Sequence, residues 1–389
     1  MYSVNLHQPI VNTYNQQQSP CKHHEHCTVI PPYMQERIGA SIDDPIAKEQ
    51  FNEILARQKR LRSKRAKLFS GKKKARAVAA QNNEIIKIYD AQSRTNLPGV
   101  FVENAMNSQD NEVKEAYNWS LKTHEFFQEY FDRNSIDNKG MEMISTVHFD
   151  KNYSNAFWDG RQMVYGDGDG QIFNEFTGDS DITAHEITHG ITQFDNDLDY
   201  ISQSGALNES ISDVFGSMVK QYVQGESVET ADWLIGEQLV IGDNYALRSM
   251  KSPGTAYVDH PVLGTDIQPA TMDEYDYSSR DNYGVHINSG IPNHAFYIFA
   301  NRLYEIDNEK YHFSWSGAGK VWYLAKNRIH NKATFLDFAN ATIIASEEIF
   351  GKESAEAAAV RYSWADVKVL GSTETDESDK TKDSCCTIC

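Results

Sequence analysis

Residues 181–190 read DITAHEITHG, with His185 and His189 four apart and Glu186 directly after the first histidine. On a helix, positions i and i+4 share a face, so both imidazoles can meet one cation. Glu186 is turned about 100° from His185 around the helix axis. It therefore stands beside such an ion rather than on it, where a carboxylate can hold a water. Two other pairs, His124–Glu125 and His24–Glu25, lack the second histidine at the fifth position.

A tetrahedral catalytic zinc takes three protein ligands and keeps its fourth position open. The stretch GALNESISD, residues 205–213, places Glu209 twenty residues past His189. Glu209 can supply the carboxylate ligand. Asp213 is one helical turn further on the same face, set to accept from the free N–H of a ligand histidine, and Asn208 can do the same for the other. Two neutral imidazoles and one carboxylate leave zinc able to lower the pKa of its water.

The rest of the chain frames this pair of helices. EIIKIYDA from Glu84 alternates as a strand does, and residues 111–133 have helical apolar spacing. MEMISTVHFD and both halves of RQMVYGDGDGQIFNEF read as strands, with a Gly/Asp turn inside the latter. Asp167 and Asp169 belong to that turn rather than to a calcium loop. From about residue 181 the pattern is mainly helical, over roughly 181–196, 205–224, 287–305, 315–329, 333–349 and 352–360. A strand-rich half before a helical half predicts an α+β protein in two lobes with a site in the cleft between them.

Charge is unevenly spread. Of a net −18, residues 1–76 carry fourteen basic and six acidic groups, about +8, which leaves about −26 for the remainder. Residues 57–76 hold eleven Lys or Arg and no acid. A basic arm before an acidic body can dock electrostatically and lose its hold when cut, or it can be a solvated helix and linker. No apolar run approaches the roughly 18 residues of a membrane helix. The polar N-terminus lacks the apolar stretch of a secretory signal, so a cytoplasmic location or export by a non-standard route is expected. All five cysteines, at 21, 27, 385, 386 and 389, lie near the termini, so the core uses no disulfide.

From about Tyr89 to Val360 the sequence resembles the thermolysin family of zinc endopeptidases. NYSNAFWDGRQMVYGDGDG (152–170), HEITH, GALNESISDVFG (205–216), ALRSM (246–250) and SRDNYGVHINSGIPNHAF (279–296) carry the resemblance. It implies His185, His189 and Glu209 as zinc ligands and Glu186 as the base. It implies Asn155 and the Ala156 carbonyl on substrate backbone, and Arg248 on a substrate carbonyl. Tyr200 and His286 would steady the oxyanion, with Asp281 holding the His286 ring. An apolar pocket lined partly by Leu247 would favour bulky apolar residues after the scissile bond. IPPYMQERIGA (30–40), with paired prolines opening a short helix to about Gly39, resembles the protealysin-like, short-propeptide branch. This implies a proenzyme whose propeptide covers the cleft and is removed near residues 70–83, with protein or peptide substrates and its own propeptide as partners and no nucleic acid.

The expected layout is a disordered N-terminus, short propeptide and basic linker over 1–80, with residues 1 to about 30 disordered and a helix over 44–68. A strand-rich catalytic lobe over 81–190 ends in the zinc helix. A helical lobe follows over 191–370, then a disordered tail over 371–389. Asp181, Asp232 and Glu237 match three acids of a family calcium site, but Lys220 stands where a fourth acid belongs, so that site is expected to be lost or reduced. In CKHHEHC (21–27), Cys21, His23, His24, His26 and Cys27 are metal-ligand types. They can bind zinc themselves, or Cys21 or Cys27 can latch onto the catalytic zinc. The terminal CTIC fits the C-a-a-X form, with Cys386 as lipid acceptor and Cys385 available for a second lipid, or it is a loose thiol cluster. Two competing readings remain: a non-catalytic peptide-binding member of the fold, and a membrane-tethered scaffold.

Overall fold

A computed structural model describes residues 27–45, 48, 49, 51–57, 60 and 85–371. Residues 21–26 of the Cys/His cluster, the basic linker after residue 60 and the CTIC tail lie outside the described residues. The chain enters with α1 (Pro32–Ser41), opened by the paired prolines, whose missing N–H groups cost nothing in a first turn. Residues 51–57 are helical as well.

Strand β1 (Ile86–Arg94) starts the first lobe, followed by β2 (Val100–Phe101), α2 (Asn111–Phe131), β3 (Met143–Phe149), β4 (Ala156–Trp158) and β5 (Met163–Tyr165). They form one five-stranded sheet in the order β2-β1-β3-β5-β4. The pairs β1/β3 and β3/β5 are parallel, whereas β1/β2 and β4/β5 are antiparallel. Asp110 caps α2 by accepting from the N–H groups of Glu112 and Val113. The order leaves β4 at an edge, with one row of backbone groups open to an added strand.

The second half of the expected strand pair did not form a strand. Asp169 Oδ1 accepts from the N–H groups of Gln171, Ile172 and Phe173, which fixes a turn there. Phe173 then bridges to Val240 instead of returning to the sheet.

Helix α3 (Ser180–Asp195) crosses to the second lobe, where α4 (Ser202–Gln224) packs along it. Then come β6 (Leu234–Ile235), β7 (Arg248–Ser249), α5 (Arg280–Asn288), α6 (Gly290–Ile306), α7 (Ala318–Lys326), α8 (Phe335–Phe350) and α9 (Ala355–Asp366). Trp322 and Trp364 stack with ring centroids 5.8 Å apart, and Phe338 meets both edge-on, joining the last three helices. The two lobes are tied by Arg133, whose guanidinium makes a forked pair with Asp195 at 3.0 Å per bond.

One expectation needs correction. Residues 27–30, read as part of a disordered N-terminus, are buried against the catalytic lobes, with Val29 and Ile30 fully enclosed. Cys-Thr-Val-Ile is too short to show a period, and it follows a polar run, so it gave no core signal. What orders them is the cleft they enter, where Val29 N–H donates to the Ala156 carbonyl on the open edge of β4 at 3.1 Å.

Candidate metal centre

Every residue of α3 from Ser180 to Thr192 is buried, including Asp181, Thr183, His185, Glu186, Thr188 and His189. Burying so many polar groups is costly unless each is paired or put to use. Gly216 makes the close packing of α3 and α4 possible: a Cβ there would sit 2.7 Å from the Asp181 carbonyl oxygen. The two helices then face His185, Glu186 and His189 on one against Asn208, Glu209 and Asp213 on the other.

His185 Nδ1 donates to Asp213 Oδ1 and His189 Nδ1 to Asn208 Oδ1, each at 2.9 Å. With those protons committed, both Nε2 atoms point inward, only 2.8 Å apart. Glu209 closes the triangle, its two oxygens 3.4 Å from the two Nε2 atoms. Donors bound to a tetrahedral zinc at about 2.0–2.2 Å lie roughly 3.3–3.6 Å from one another. The two Glu209 separations match this, and the Nε2 pair need only part slightly to admit the ion. The cluster also demands positive charge. Burial alone would lower His185, but its hydrogen bonds to Asp213 and Glu209 override that and raise the ring to about 9.

Asp213 is held in turn. Arg248 donates from Nε to Oδ2 at 2.8 Å and from Nη2 to Oδ1 at 2.7 Å, and Asn293 Nδ2 donates to Oδ2 at 2.9 Å. Burial opposes the charge, yet Arg248 and His185 hold this carboxyl down at about 2. Asn293 was not singled out in the sequence, and nothing in its spacing pointed to Asp213. Ser212 Oγ, 3.1 Å from His189 Nδ1, was missed likewise, although it adjoins a ligand helix turn.

Glu186 is fully buried, and no side chain among the described residues hydrogen-bonds its carboxylate. Burial pushes its pKa up to about 8, only partly offset by His185. A carboxyl so placed is poised to take and give a proton near neutrality. Tyr200 donates from its hydroxyl to Glu209 Oε1.

His286 arrives by an unusual route. Asp281, Asn282, Tyr283 and Gly284 in α5 are all left-handed, with φ between 51° and 78°. This turn folds Asp281 back, so that its carboxylate accepts from both the backbone N–H and Nδ1 of His286, each at 2.7 Å. Burial works against a charge on this ring, but Asp281 and Glu209 outweigh it and raise its pKa. Nε2 then lies 3.1 Å from the Tyr200 hydroxyl. Leu247, beside Arg248, is fully buried, its N–H bonded to the Ile235 carbonyl.

The expected ligand, base and oxyanion residues thus meet in one cleft. The acids of the suspected calcium site meet elsewhere, around Lys220. Lys220 Nζ lies 2.7 Å from Asp232 Oδ2 and 3.4 Å from Glu237 Oε2. Asp181 Oδ2 accepts from the Gly236 N–H instead. Burial opposes the ammonium charge, but Asp181 and Asp232 raise its pKa.

Imidazoles and a carboxylate converging beside a buried, unpaired carboxylate, in a cleft between a sheet lobe and a helical lobe, define the class: a two-lobed metallohydrolase. Residues 57–193 match the thermolysin metallopeptidase catalytic domain, and residues 196–369 match the thermolysin metallopeptidase alpha-helical domain. An extracellular metalloprotease of Pectobacterium carotovorum subsp. carotovorum is 44% identical over 349 residues, covering 88% of this chain and 96% of that one. Protease PrtS of Photorhabdus sp. (strain Az29) is 44% identical over 301 residues, 75% of this chain and 77% of that one. The precursor of protealysin, a metalloproteinase from Serratia proteamaculans, superposes with a TM-score of 0.74 at 40% identity, covering 88% of this chain and 99% of that one. The chain belongs to the thermolysin metallopeptidase family and is a zinc endopeptidase made as a proenzyme.

Proposed function

We propose that His185, His189 and Glu209 hold the zinc and that Glu186 is the general base for hydrolysis of peptide bonds. When bound, zinc supplies Lewis acidity toward the substrate carbonyl and a lowered pKa for water. Glu186 takes a proton from the attacking water and delivers it to the leaving amine. Tyr200 and His286 donate to the oxygen on which negative charge develops, usually the largest catalytic term. Asp281 holds the His286 ring, and Asp213 and Asn208 fix the ligand tautomers. Asn155, the Ala156 carbonyl and Arg248 bind the substrate backbone as an added strand on β4. An apolar pocket that includes Leu247 favours bulky apolar residues after the scissile bond.

The observation that carries this reading is the pair of inward Nε2 atoms, 2.8 Å apart, with Glu209 closing on both. After removal of the N-terminal arm, Glu186→Gln should lower casein turnover by roughly 10²–10⁴-fold, the worth of a general base. Metal analysis should find zinc still bound. Turnover equal to wild type rejects the assigned base.

Lys220 supports a further part of the reading: its ammonium takes the place of a calcium ion among Asp181, Asp232 and Glu237. Release of the arm near residues 70–83 would open the cleft. Export from the cell is supported by the name of the Pectobacterium relative. Among the described residues no helix is long and apolar enough to cross a membrane.

A further inference from the structure

We infer that the pro-segment is a substrate caught uncut: the Thr28–Val29 peptide bond occupies the position of the scissile bond, and the Cys27 sulfur blocks the water's place at the metal. The inference rests on the roles proposed above.

Each group assigned to a substrate backbone is engaged by the pro-segment. Val29 N–H donates to the Ala156 carbonyl at 3.1 Å, and the Val29 carbonyl accepts from Arg248 Nη1 at 3.4 Å. The Asn155 amide clamps the next residue on both sides, accepting from Ile30 N–H at 2.9 Å and donating to the Ile30 carbonyl at 3.0 Å. His286 Nε2, assigned to the developing oxyanion, donates to the Thr28 carbonyl at 2.8 Å. The polarised carbonyl therefore belongs to Thr28, and the residues after it, Val29 and Ile30, are apolar and fully buried. Direction and register are those of a peptide about to be cut before an apolar residue.

Cys27 explains why it is not cut. Its side chain is buried against Tyr200 and Val285. Its sulfur lies 3.9 Å from Glu209 Oε1, and it shares a space less than 4.8 Å across with donor atoms of Glu186 and His189. The Glu186 carboxylate, buried and without a side-chain partner, therefore stands next to the sulfur. A sulfur there could serve a bound zinc as its fourth ligand, which would close the site in the structural manner and exclude water. The segment beyond is anchored independently. Met34 and Ile38 of α1 are buried, and Arg37 Nη1 donates to the carbonyls of Leu263 and Thr265.

If the sulfur is removed, water can occupy its place. Water then adds to the Thr28 carbonyl carbon, Glu186 carries its proton to the Val29 nitrogen, and the C–N bond breaks. The products are a Thr28 carboxylate and a Val29 amine, with no redox partner needed.

The test uses the full zinc-loaded chain and intact mass spectrometry over time. Cys27→Ala should lose residues 1–28 and gain Val29 as its N-terminus roughly tenfold or more faster than wild type. Adding Glu186→Gln to that variant should abolish the cut. No cut at this bond, or one at the wild-type rate, overturns the inference. A second measurement needs no variant: the cobalt-loaded wild-type proenzyme should show a sulfur-to-cobalt charge-transfer band that is lost once the arm is removed, and its absence from the proenzyme overturns the inference as well. Casein hydrolysis by arm-free wild type separates the two readings. If that activity is present while the bond stays intact, only the substrate-mimic inference fails; if it is absent, the protease roles fail first.

Discussion

Asp213 shows how much of this site is decided outside the ligands themselves. It accepts from His185, from two nitrogens of Arg248 and from Asn293, all within 2.9 Å. Its charge fixes the His185 tautomer and also seats Arg248, which is itself almost fully buried. Asp213→Asn keeps the shape but offers one acceptor where two are used, and leaves the guanidinium without its counter-charge. Partners of this kind are typically worth about 10–100-fold in metal affinity or activity. Competition against a zinc chelator should show an affinity loss of that order, with casein turnover falling in parallel. Unchanged affinity and turnover would remove Asp213 from the site's working parts.

At the scale of elements, legibility followed periodicity. Helices α3 and α4 were readable because i, i+4 spacing converts directly into a shared face, so His185, His189, Glu209 and Asp213 could be placed from sequence. The turn from Asp281 to Gly284 could not be placed this way. Left-handed backbone at Tyr283 goes against residue preference, and only the Asp-Asn and Gly around it hint at tolerance. Cys27 was readable as one of two candidate latches on the zinc, but the path of its segment was not, because an extended segment in a cleft is ordered by its partner and not by its own pattern. A third case lies where β3, the start of α2 and the Gly/Asp turn meet. There His148 Nδ1 is 2.6 Å from Glu112 Oε2 and 3.0 Å from Asp167 Oδ1, and Nε2 is 2.9 Å from Asp110 Oδ2. The hydrogen bond to Asp167 and the ion pair with Glu112 raise this histidine to about 11. The folded value is above the unfolded one of about 6.5, so the charged ring favours the fold. That contribution is complete below about pH 6.5 and is lost as pH climbs toward the folded pKa. Urea unfolding of wild type and His148→Gln should therefore differ more at pH 6 than at pH 9. A gap that is the same at both, or wider at pH 9, contradicts the assignment.

For the molecule as a whole, the question is what holds several acids together at the junction of α3, α4 and β6, where an ammonium is proposed to take the place of a divalent cation. Lys220 on α4 reaches Asp232 just before β6 and Glu237 just after it, while Asp181 from α3 bonds the Gly236 N–H. One ammonium thus knits the helix pair that carries the proposed metal ligands to the segment that leads to Arg248. Because the ammonium is part of the chain, overall stability should not respond to calcium. Thermal unfolding with a calcium-selective chelator or with excess calcium should give the same midpoint. Removing the charge should be felt globally. Lys220→Met leaves Asp181 buried beside Asp232 and Glu237 with no cation among them. A fully buried pair broken on one side costs about 3–5 kcal/mol. Asp232 and Glu237 keep contact with water, at 31% and 50% exposure, so a cost of about 1–3 kcal/mol is expected here. Lys220→Glu should go further and convert the cluster into a divalent-cation site, its midpoint falling without calcium and recovering when calcium is added. A wild-type midpoint that rises with calcium, or a Lys220→Glu midpoint that ignores it, would mean that the ammonium does not stand in for the ion.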